Sequence, residues 1–209
     1  MSLTTMFLYA GNTGLAGIGI ARKQKKIGGF MKDRKLQLKT GVTTGLCAAA
    51  AAKAATITLL SSEEVRQVSV TAKTGAEITF NVTDTLRFSE AAKCAVIKDS
   101  GDDPDITNGL KVFATVNKTG VKGITIDGGD GIGRVTKPGL KVAVGKAAIN
   151  PVPMEMVNSA IMEVCDLFSY TGGIRAILSI PGGAAIAKKT MNKRLGIVGL
   201  KKKFTKKKK

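Results

Sequence analysis

The sequence predicts an α+β fold with a mainly antiparallel sheet packed against two helices. Three features support this prediction: an alanine-rich helical segment, a series of strand-like segments that follow one another directly, and an amphipathic helical segment after them. Strands that succeed one another without regular strand-helix alternation are typical of α+β domains. With 209 residues, 44% of them apolar, the chain is long enough to bury the core of one or two domains.

The first predicted helix is the stretch TGLCAAAAAKAATITLL, residues 44–60, because its alanine content favours helix. Thr44 is expected to be its N-cap, since threonine hydroxyls accept hydrogen bonds from first-turn amides. Two segments of alternating apolar and polar residues follow, VRQVSVTA at 65–72 and EITFNV at 77–82. The KTG between them predicts a β-hairpin.

Further strands and a second helix are predicted in the second half of the chain. The second helix is expected to begin near Pro153, a residue suited to a first helical turn, and to end before TGG at 171–173. IRAILSI at 174–180 then predicts a buried strand, and AIAKKTMN at 185–192 the start of a short helix. The other predicted strands are 94–98, 110–117, 123–127 and 140–145, and the buried helical face is Val157, Ile161, Val164, Cys165 and Phe168.

Positive charge is concentrated at the two ends of the chain. There are 33 Lys and Arg against 15 Asp and Glu, a formal net charge of +18, but the two signs nearly balance between Thr40 and Leu200. Terminal charge runs such as KKKFTKKKK are typical of solvated arms that attract any polyanion. A basic RNA-binding module is therefore an alternative, although its folded part would need basic residues interleaved with aromatics, and only 4% of residues are aromatic.

Cysteine usage and the opening segment indicate a cytoplasmic protein without a metal site. Cys47, Cys94 and Cys165 form no CxxC pair and the chain has no histidine, which excludes a zinc site of the usual kind. Their odd number favours buried thiols in a reducing compartment. The apolar opening, MFLYAGNTGLAGIGIA, is too short and too rich in glycine for a membrane span. No membrane partner is expected.

An acidic loop, IKDSGDDPDITNG at residues 97–109, places Asp99, Asp102, Asp103 and Asp105 within seven positions. It lacks the glycine and the distal glutamate that a calcium-binding loop requires. The aspartates could simply build a turn and cap neighbouring amides. They would nevertheless repel one another unless a cation or amide donors face them, and such crowding is common at functional sites.

Two more segments could bind an anionic group. The glycine-rich loop, IDGGDGIGRVTKPG at 126–139, is neither a Rossmann fingerprint nor a Walker loop, because no helix follows it and GK[ST] is absent. TGVTTGLC at 40–47 offers hydroxyls and amides at a helix N-terminus. A plain connection between strands and an ordinary helix cap are the alternatives. The candidate ligand-facing residues of the glycine-rich loop are Gly128, Gly129, Gly131, Gly133, Arg134 and Lys137.

The motifs in this order resemble those of the CbiD family, the cobalt-precorrin-5B C1-methyltransferases of anaerobic cobalamin (vitamin B12) biosynthesis. The resemblance runs from about Lys39 to Gly199 and is carried by TGVTTGLCAAAAAKAA, VIKDSGDDPDITNG, GGDGIGRVTKPGL, AINPVP and IPGGAAIAKKTMNKRLGIVG. It implies transfer of a methyl group from S-adenosylmethionine to ring carbon C1 of an anionic, cobalt-bound tetrapyrrole. Cobalt would belong to the substrate, and no resident metal is expected.

The resemblance also implies a domain organisation. The family has an α+β N-terminal domain similar to domain 2 of ribosomal protein S5, followed by a three-layer α/β domain. Because this chain reads RLGIVGL and then a lysine run, we expect the second domain to be truncated. The expected division is a basic, flexible extension at 1–38, the α+β domain at 39–170, the start of the second domain at 171–200 and a lysine-rich tail at 201–209.

The motifs and the resemblance together assign roles to the candidate residues. Carboxylates would offset the desolvation of the methyl donor's sulfonium or manage ring protons, while amides, Arg and Lys would bind the acetate and propionate groups of the tetrapyrrole. We expect the three loops to meet in one cleft. The expected roles are catalysis for Asp102 and Asp103, methyl-donor binding for Asp99, Asp105, Thr43, Thr44 and Gly45, and substrate binding for the six glycine-loop residues together with Asn150 and Arg194.

Three positions depart from the pattern that the resemblance implies. Asn108 stands where histidine is expected, Lys146 where glutamate is expected, and Ala184 where an acidic residue is common. Because three titratable positions have changed, a non-catalytic tetrapyrrole-binding paralogue is a further alternative. No specific nucleic-acid partner is expected, and the sequence does not predict an oligomeric state.

Deleting residues 201–209 should leave the folded part unchanged while steeply reducing any salt-sensitive affinity for RNA, because that affinity follows the number of phosphates neutralised. Fluorescence anisotropy with a labelled RNA at two salt concentrations measures this effect. RNA affinity that survives the deletion and resists added salt would support the RNA-binding alternative.

Overall fold

The structure, a computed structural model, describes residues 41–103, 105–139, 141–183, 185–186, 191–192 and 197–198. Its elements are, in chain order, α1 (Thr44–Ser61), β1 (Gln67–Thr71), β2 (Glu77–Arg87), β3 (Ala91–Ile97), β4 (Lys111–Thr119), β5 (Gly123–Gly128), α2 (Pro151–Leu167), β6 (Gly173–Ser179), β7 (Met191–Asn192) and β8 (Ile197–Val198).

The sheet has six strands in the order β1-β2-β3-β4-β6-β5, and β7 pairs separately with β8. Every neighbouring pair in the larger sheet is antiparallel except β5 and β6, which are parallel and connected through α2. The predicted hairpin is confirmed, with Val68 opposite Phe80 and both side chains buried. The mixed α+β class predicted from the sequence is therefore confirmed.

Helix α1 forms the centre of the core because its side chains are small. The alanines from Ala49 to Ala52 are fully buried, and the helix packs against both the sheet and α2. By length and composition alone α1 could cross a membrane, but a buried core helix passes the same test. The predicted N-cap was wrong by one residue: Thr43 is the cap, and its Oγ accepts a hydrogen bond from the Leu46 amide at 3.2 Å.

Helix α2 begins at Pro151, and Pro153 lies in its first turn as predicted. Proline is favoured there because a first-turn amide has no partner within the helix. Val157, Ile161 and Val164 form the buried face as predicted. Phe168 was wrongly included in that face, because it lies beyond the last helical residue and is 39% exposed.

Three other predictions need correction. Residues 141–145 of the predicted strand LKVAVG form turns and bends, and Val144 is 56% exposed. Glycines with positive φ, Gly139 (118°) and Gly145 (86°), bracket this segment and turn the chain away from strand geometry. Strand β6 lies between β4 and β5, so the domain boundary predicted at residue 170 is wrong for β6. The short helix predicted at 185–192 does not include Met191 and Asn192, which form β7.

Enlarging the alanine face of α1 should destabilise the protein. Ala51→Leu adds three carbons where the side chain is fully buried, and overpacking of this kind lowers the free energy of unfolding by about 1–3 kcal/mol. Urea denaturation measures the loss. Ala76→Leu, at an exposed alanine in the hairpin turn, is the control and should stay within about 0.5 kcal/mol of the wild type. Equal effects of the two substitutions would contradict the packing of α1 described above.

Candidate active site

A cavity of about 420 Å³ lies where the first turns of both helices meet the acidic loop and the glycine-rich loop. The three sequence segments that were expected to share one cleft all contribute to its wall. Most of the wall is apolar, as is usual for small-molecule sites, and a few polar groups interrupt it. The residues of the sequence prediction that line the cavity are Thr44, Gly45, Asp105, Gly131, Gly133 and Asn150. The apolar wall, which the sequence analysis did not identify, includes Ile106, Ile132, Ile149, Leu178, Ile180 and Ile186.

The two helix N-termini are held close together at one end of the cavity. A Cβ added to Gly45 would lie 2.9 Å from Cγ of Pro153, so the first turn of α1 tolerates no side chain at this point. Within the described residues, Asn150 is the N-cap of α2 by its backbone, and its side chain makes no capping hydrogen bond. Thr43 caps α1, is exposed, and is not among the described residues that line the cavity.

The acidic loop is fixed to the segment that precedes α1. The amide of Val42 donates a hydrogen bond to the carbonyl of Asp99 at 2.8 Å. A Cβ added to Gly41 would lie 2.0 Å from the Ser100 carbonyl oxygen, so only glycine allows this approach. Gly41 and Val42 of the sequence motif therefore hold the acidic loop in place beside the helix N-terminus.

A buried lysine, Lys98, is the positive group among the aspartates. Its side chain is only 2% exposed, and its ammonium donates hydrogen bonds to Oδ2 of Asp105 at 2.6 Å and to Oγ of Ser100 at 2.5 Å. The second oxygen of Asp105, Oδ1, accepts from the Thr107 amide at 2.8 Å and from its hydroxyl at 2.7 Å. The acidic loop thus folds around a cation that belongs to the protein itself.

The Asp105 carboxylate is ionised over the physiological pH range. Partial burial by itself would raise the pKa of Asp105, but the hydrogen bond from Lys98 and those from Thr107 outweigh it and lower the pKa to about 2. Asp105 is also the one charged residue among the described residues that line the cavity. The site therefore presents a carboxylate whose charge is balanced by the ammonium behind it.

The other three aspartates of the loop are exposed and are not among the described residues that line the cavity. Asp99 accepts a hydrogen bond from the Gly101 amide through Oδ1 at 2.8 Å, which closes a local turn. Asn108, which stands where the resemblance implies histidine, accepts from the Ser100 amide through Oδ1 at 2.8 Å. Asp102 and Asp103 lie on the outer part of the loop, so their expected catalytic role stays a prediction.

The glycine-rich loop uses most of its glycines to pack against the protein. Gly131 has a φ of 75°, and an added Cβ would lie 1.7 Å from the Ile180 carbonyl oxygen. Gly128 and Gly129 are similarly close to the side chains of Ile132 and Ser179, and they are not among the described cavity-lining residues. Close approach to the end of β6 therefore accounts for Gly129 and Gly131, and contact with Ile132 and Ala147 accounts for Gly128, although all three glycines were expected to admit a ligand.

Arg134 is paired within its own loop. Its guanidinium donates to both carboxylate oxygens of Asp127, at 2.7 and 2.9 Å, and to the carbonyl of Gly128 at 3.2 Å. The hydrogen bonds from Arg134 and from the Gly128 amide to Asp127 lower the pKa of the Asp127 carboxyl. Lys137 is exposed and, like Arg134, is not among the described residues at the cavity. Arg194, also expected to bind substrate, lies outside the described residues.

Over the part of the chain that the structure describes, no cysteine lines the cavity and no group of His, Cys, Asp or Glu could hold a metal ion. Burial raises the pKa of the Cys47 thiol to about 11, and the charge of Lys98 offsets this only in part. A thiol that stays protonated at neutral pH is a poor nucleophile.

The sequence contains a signal for the burial of Lys98. Cys94 and Val96 are buried on the inner face of β3, and Lys98 continues the same alternation by two positions. Side chains at i, i+2 and i+4 of an extended segment share one face. This period places a lysine on the core side directly before four aspartates, and such a lysine needs a carboxylate partner.

The fold and the cavity define the class of protein: an α+β domain with a mostly apolar cavity of small-molecule size. The CbiD family model matches residues 31–200. Similar curated proteins are the cobalt-precorrin-5B C(1)-methyltransferases of Geobacillus thermodenitrificans, 46% identical over 167 residues, and of Ruminiclostridium cellulolyticum, 48% identical over 170 residues. These matches cover 80% and 81% of this chain, and 45% and 44% of the respective relatives.

A solved structure is also similar. The crystal structure of a cobalamin biosynthesis protein (CbiD) from Archaeoglobus fulgidus is 31% identical, with a TM-score of 0.57 over 78% of this chain and 50% of that one. The chain belongs to the CbiD family. It spans about half the length of the curated relatives it matches.

The stability of the protein should depend on the ionisation of Asp105 in acid. The folded pKa of about 2 lies below the ordinary value of about 3.9, so the contribution of Asp105 is complete above about pH 5 and is lost as the pH falls toward 2. Urea midpoints measured between pH 6 and pH 2.5 should therefore fall more steeply for the wild type than for Asp105→Asn. Parallel pH profiles for the two proteins would show that the ion pair with Lys98 does not form.

Proposed function

We propose that this chain takes part in the S-adenosylmethionine-dependent methylation of ring carbon C1 of cobalt-precorrin-5B, a step of anaerobic cobalamin biosynthesis in the cytoplasm. One observation carries the proposal: the three candidate loops, which belong to three of the five motifs that carry the family resemblance, line one mostly apolar cavity. Curated relatives that bear the name cobalt-precorrin-5B C(1)-methyltransferase support the choice of reaction. The finer fold assignment, a domain similar to domain 2 of ribosomal protein S5, belongs to the same proposal.

The dimensions and chemistry of the cavity favour the methyl donor as its occupant. A volume of about 420 Å³ falls within the range of small-molecule sites, whereas a whole tetrapyrrole with its acid side chains requires an open surface. The apolar wall suits a purine ring, and Thr44, Thr107 and Asn150 offer hydrogen bonds. The tetrapyrrole would then lie across the mouth of the cavity, where its carboxylates face the first turns of the two helices.

Methyl transfer requires alignment of the reactants more than acid-base chemistry. The nucleophilic ring carbon attacks the donor's methyl carbon, a carbon–carbon bond forms, and the carbon–sulfur bond breaks with its electron pair left on sulfur. The protein contributes by holding the two reactants in line and by excluding water from the reacting centre. Asp102 and Asp103, on the outer part of the acidic loop, would meet the substrate at the cavity mouth and manage ring protons.

A non-catalytic, tetrapyrrole-binding paralogue is the second candidate function. Asn108 favours it, because the residue at this position accepts a hydrogen bond from the Ser100 amide and has no titratable group.

The RNA-binding alternative has less support from the folded part, because basic and aromatic side chains of the sheet already contact other groups of the protein. Phe113 lies under the ammonium of Lys93, at 4.6 Å from the ring centroid, and Lys111 is paired with Asp84 at 2.7 Å.

The proposed function is tested with the full chain, radiolabelled S-adenosylmethionine and cobalt-precorrin-5B. We expect the Asp102→Asn/Asp103→Asn variant to lose methyl transfer by more than about tenfold while its urea midpoint stays near that of the wild type, since relief of like-charge repulsion offsets lost turn contacts. Asp166→Asn, at an exposed aspartate at the end of α2, is the matched control and should retain full activity.

Two results would contradict this proposal in different ways. Unchanged turnover with a large fall in the urea midpoint would show that the outer aspartates only build a turn. Binding of the tetrapyrrole without any methyl transfer by the full chain would favour the non-catalytic paralogue.

A further inference from the structure

We propose that Asp105 accepts a hydrogen bond from a neutral hydroxyl or N–H group of the methyl donor and does not act as counter-ion to its sulfonium, because Lys98 already balances its charge. Lys98 is in this view a positioning residue that orients the carboxylate from behind the cavity wall. The inference rests on the proposed function, since it concerns how the same cavity recognises the methyl donor.

The geometry of the pair supports a fixed, neutral unit. Lys98 is 2% exposed, whereas Asp105 is 35% exposed and lines the cavity. The ammonium therefore lies on the protein side of the carboxylate, at 2.6 Å, and cannot reach the ligand itself. Buried lysines are rare unless they are paired with a carboxylate. Asp105 therefore keeps its ion pair with Lys98 when a ligand binds, and it does not exchange Lys98 for a cation of the ligand.

The hydrogen bonds of Asp105 leave room for one more donor. An ionised carboxylate has about four acceptor positions, two on each oxygen. Thr107 occupies both positions of Oδ1 through its amide and hydroxyl, and Lys98 occupies one position of Oδ2. The remaining position is on Oδ2, and Asp105 lines the cavity. A single hydroxyl or N–H group of the ligand fits this position.

The charge around the cavity argues against recognition of a cation. Asp105 is the one charged residue among the described residues of the wall, and Lys98 neutralises it at hydrogen-bond distance. The first turns of α1 and α2 at the same cavity carry partial positive charge. A sulfonium therefore gains little from this wall, and binding must depend on shape, apolar contact and neutral hydrogen bonds.

S-adenosylmethionine and S-adenosylhomocysteine test the inference, because they differ by one methyl group and one positive charge. Isothermal titration calorimetry on the full wild-type chain should give dissociation constants within about threefold of each other. A preference of about tenfold or more for S-adenosylmethionine would overturn the inference while leaving the proposed function intact. Failure of both compounds to bind would remove the proposed methyl-donor site as well.

Variants at the ion pair provide the second arm of the experiment. Lys98→Met removes the balancing charge and should create a preference of about fivefold or more for S-adenosylmethionine. Lys98→Arg should restore the wild-type ratio, as should the double variant Lys98→Met/Asp105→Asn, in which the pair is again neutral. A merely structural role for Lys98 would lower both affinities equally in Lys98→Met and would contradict the proposal. If Lys98→Met does not fold, the comparison of the two compounds on the wild type still decides the matter.

Discussion

The burial of one ammonium group, that of Lys98, determines the shape of the site. An unpaired charge of this kind in a protein interior is unfavourable by on the order of several kcal/mol, so Lys98 must have a carboxylate and further acceptors within reach. Asp105 and Ser100 supply them, and to do so the acidic loop must fold back over the end of β3. That fold places Ile106 and Thr107 in the cavity wall. The crowding of aspartates in a basic chain is explained in part by this internal cation.

The alanine-rich helix supplies the second constraint. Because its buried side chains are methyl groups, α1 can lie close to the sheet and to α2 at the same time. The first turns of the two helices then approach each other at Gly45 and Pro153. Strand β6, inserted between β4 and β5, brings the glycine-rich loop to the same place through the contact of Gly131 with Ile180. Apolar packing and one buried charge thus form the cavity, and its lining residues come from several motifs.

The elements that depend on local sequence were predictable, and those that depend on distant partners were not. The alanine content of α1 and the alternation of β1 and β2 are local signals, and both predictions are confirmed. The segment LKVAVG alternates equally well, but flanking glycines with positive φ turn it away from the sheet. The convergence of three loops was expected from the motifs, whereas the pairing of Arg134 with Asp127 and the apolar wall around Ile132 depend on tertiary contacts. Lys98 was predictable from the period of β3, but four nearby aspartates suggested an external cation.

The central claim is that the cavity formed by the two helix N-termini, the acidic loop and the glycine-rich loop is where the methyl donor binds. A crystal structure of the full chain with S-adenosylhomocysteine tests this claim most directly. The account predicts that the ligand lies against Gly45, Asn150 and Ile132, with one of its hydroxyl or N–H groups at hydrogen-bond distance from Oδ2 of Asp105. A ligand bound elsewhere, such as on the face of the sheet that carries Lys93 and Phe113, would contradict it.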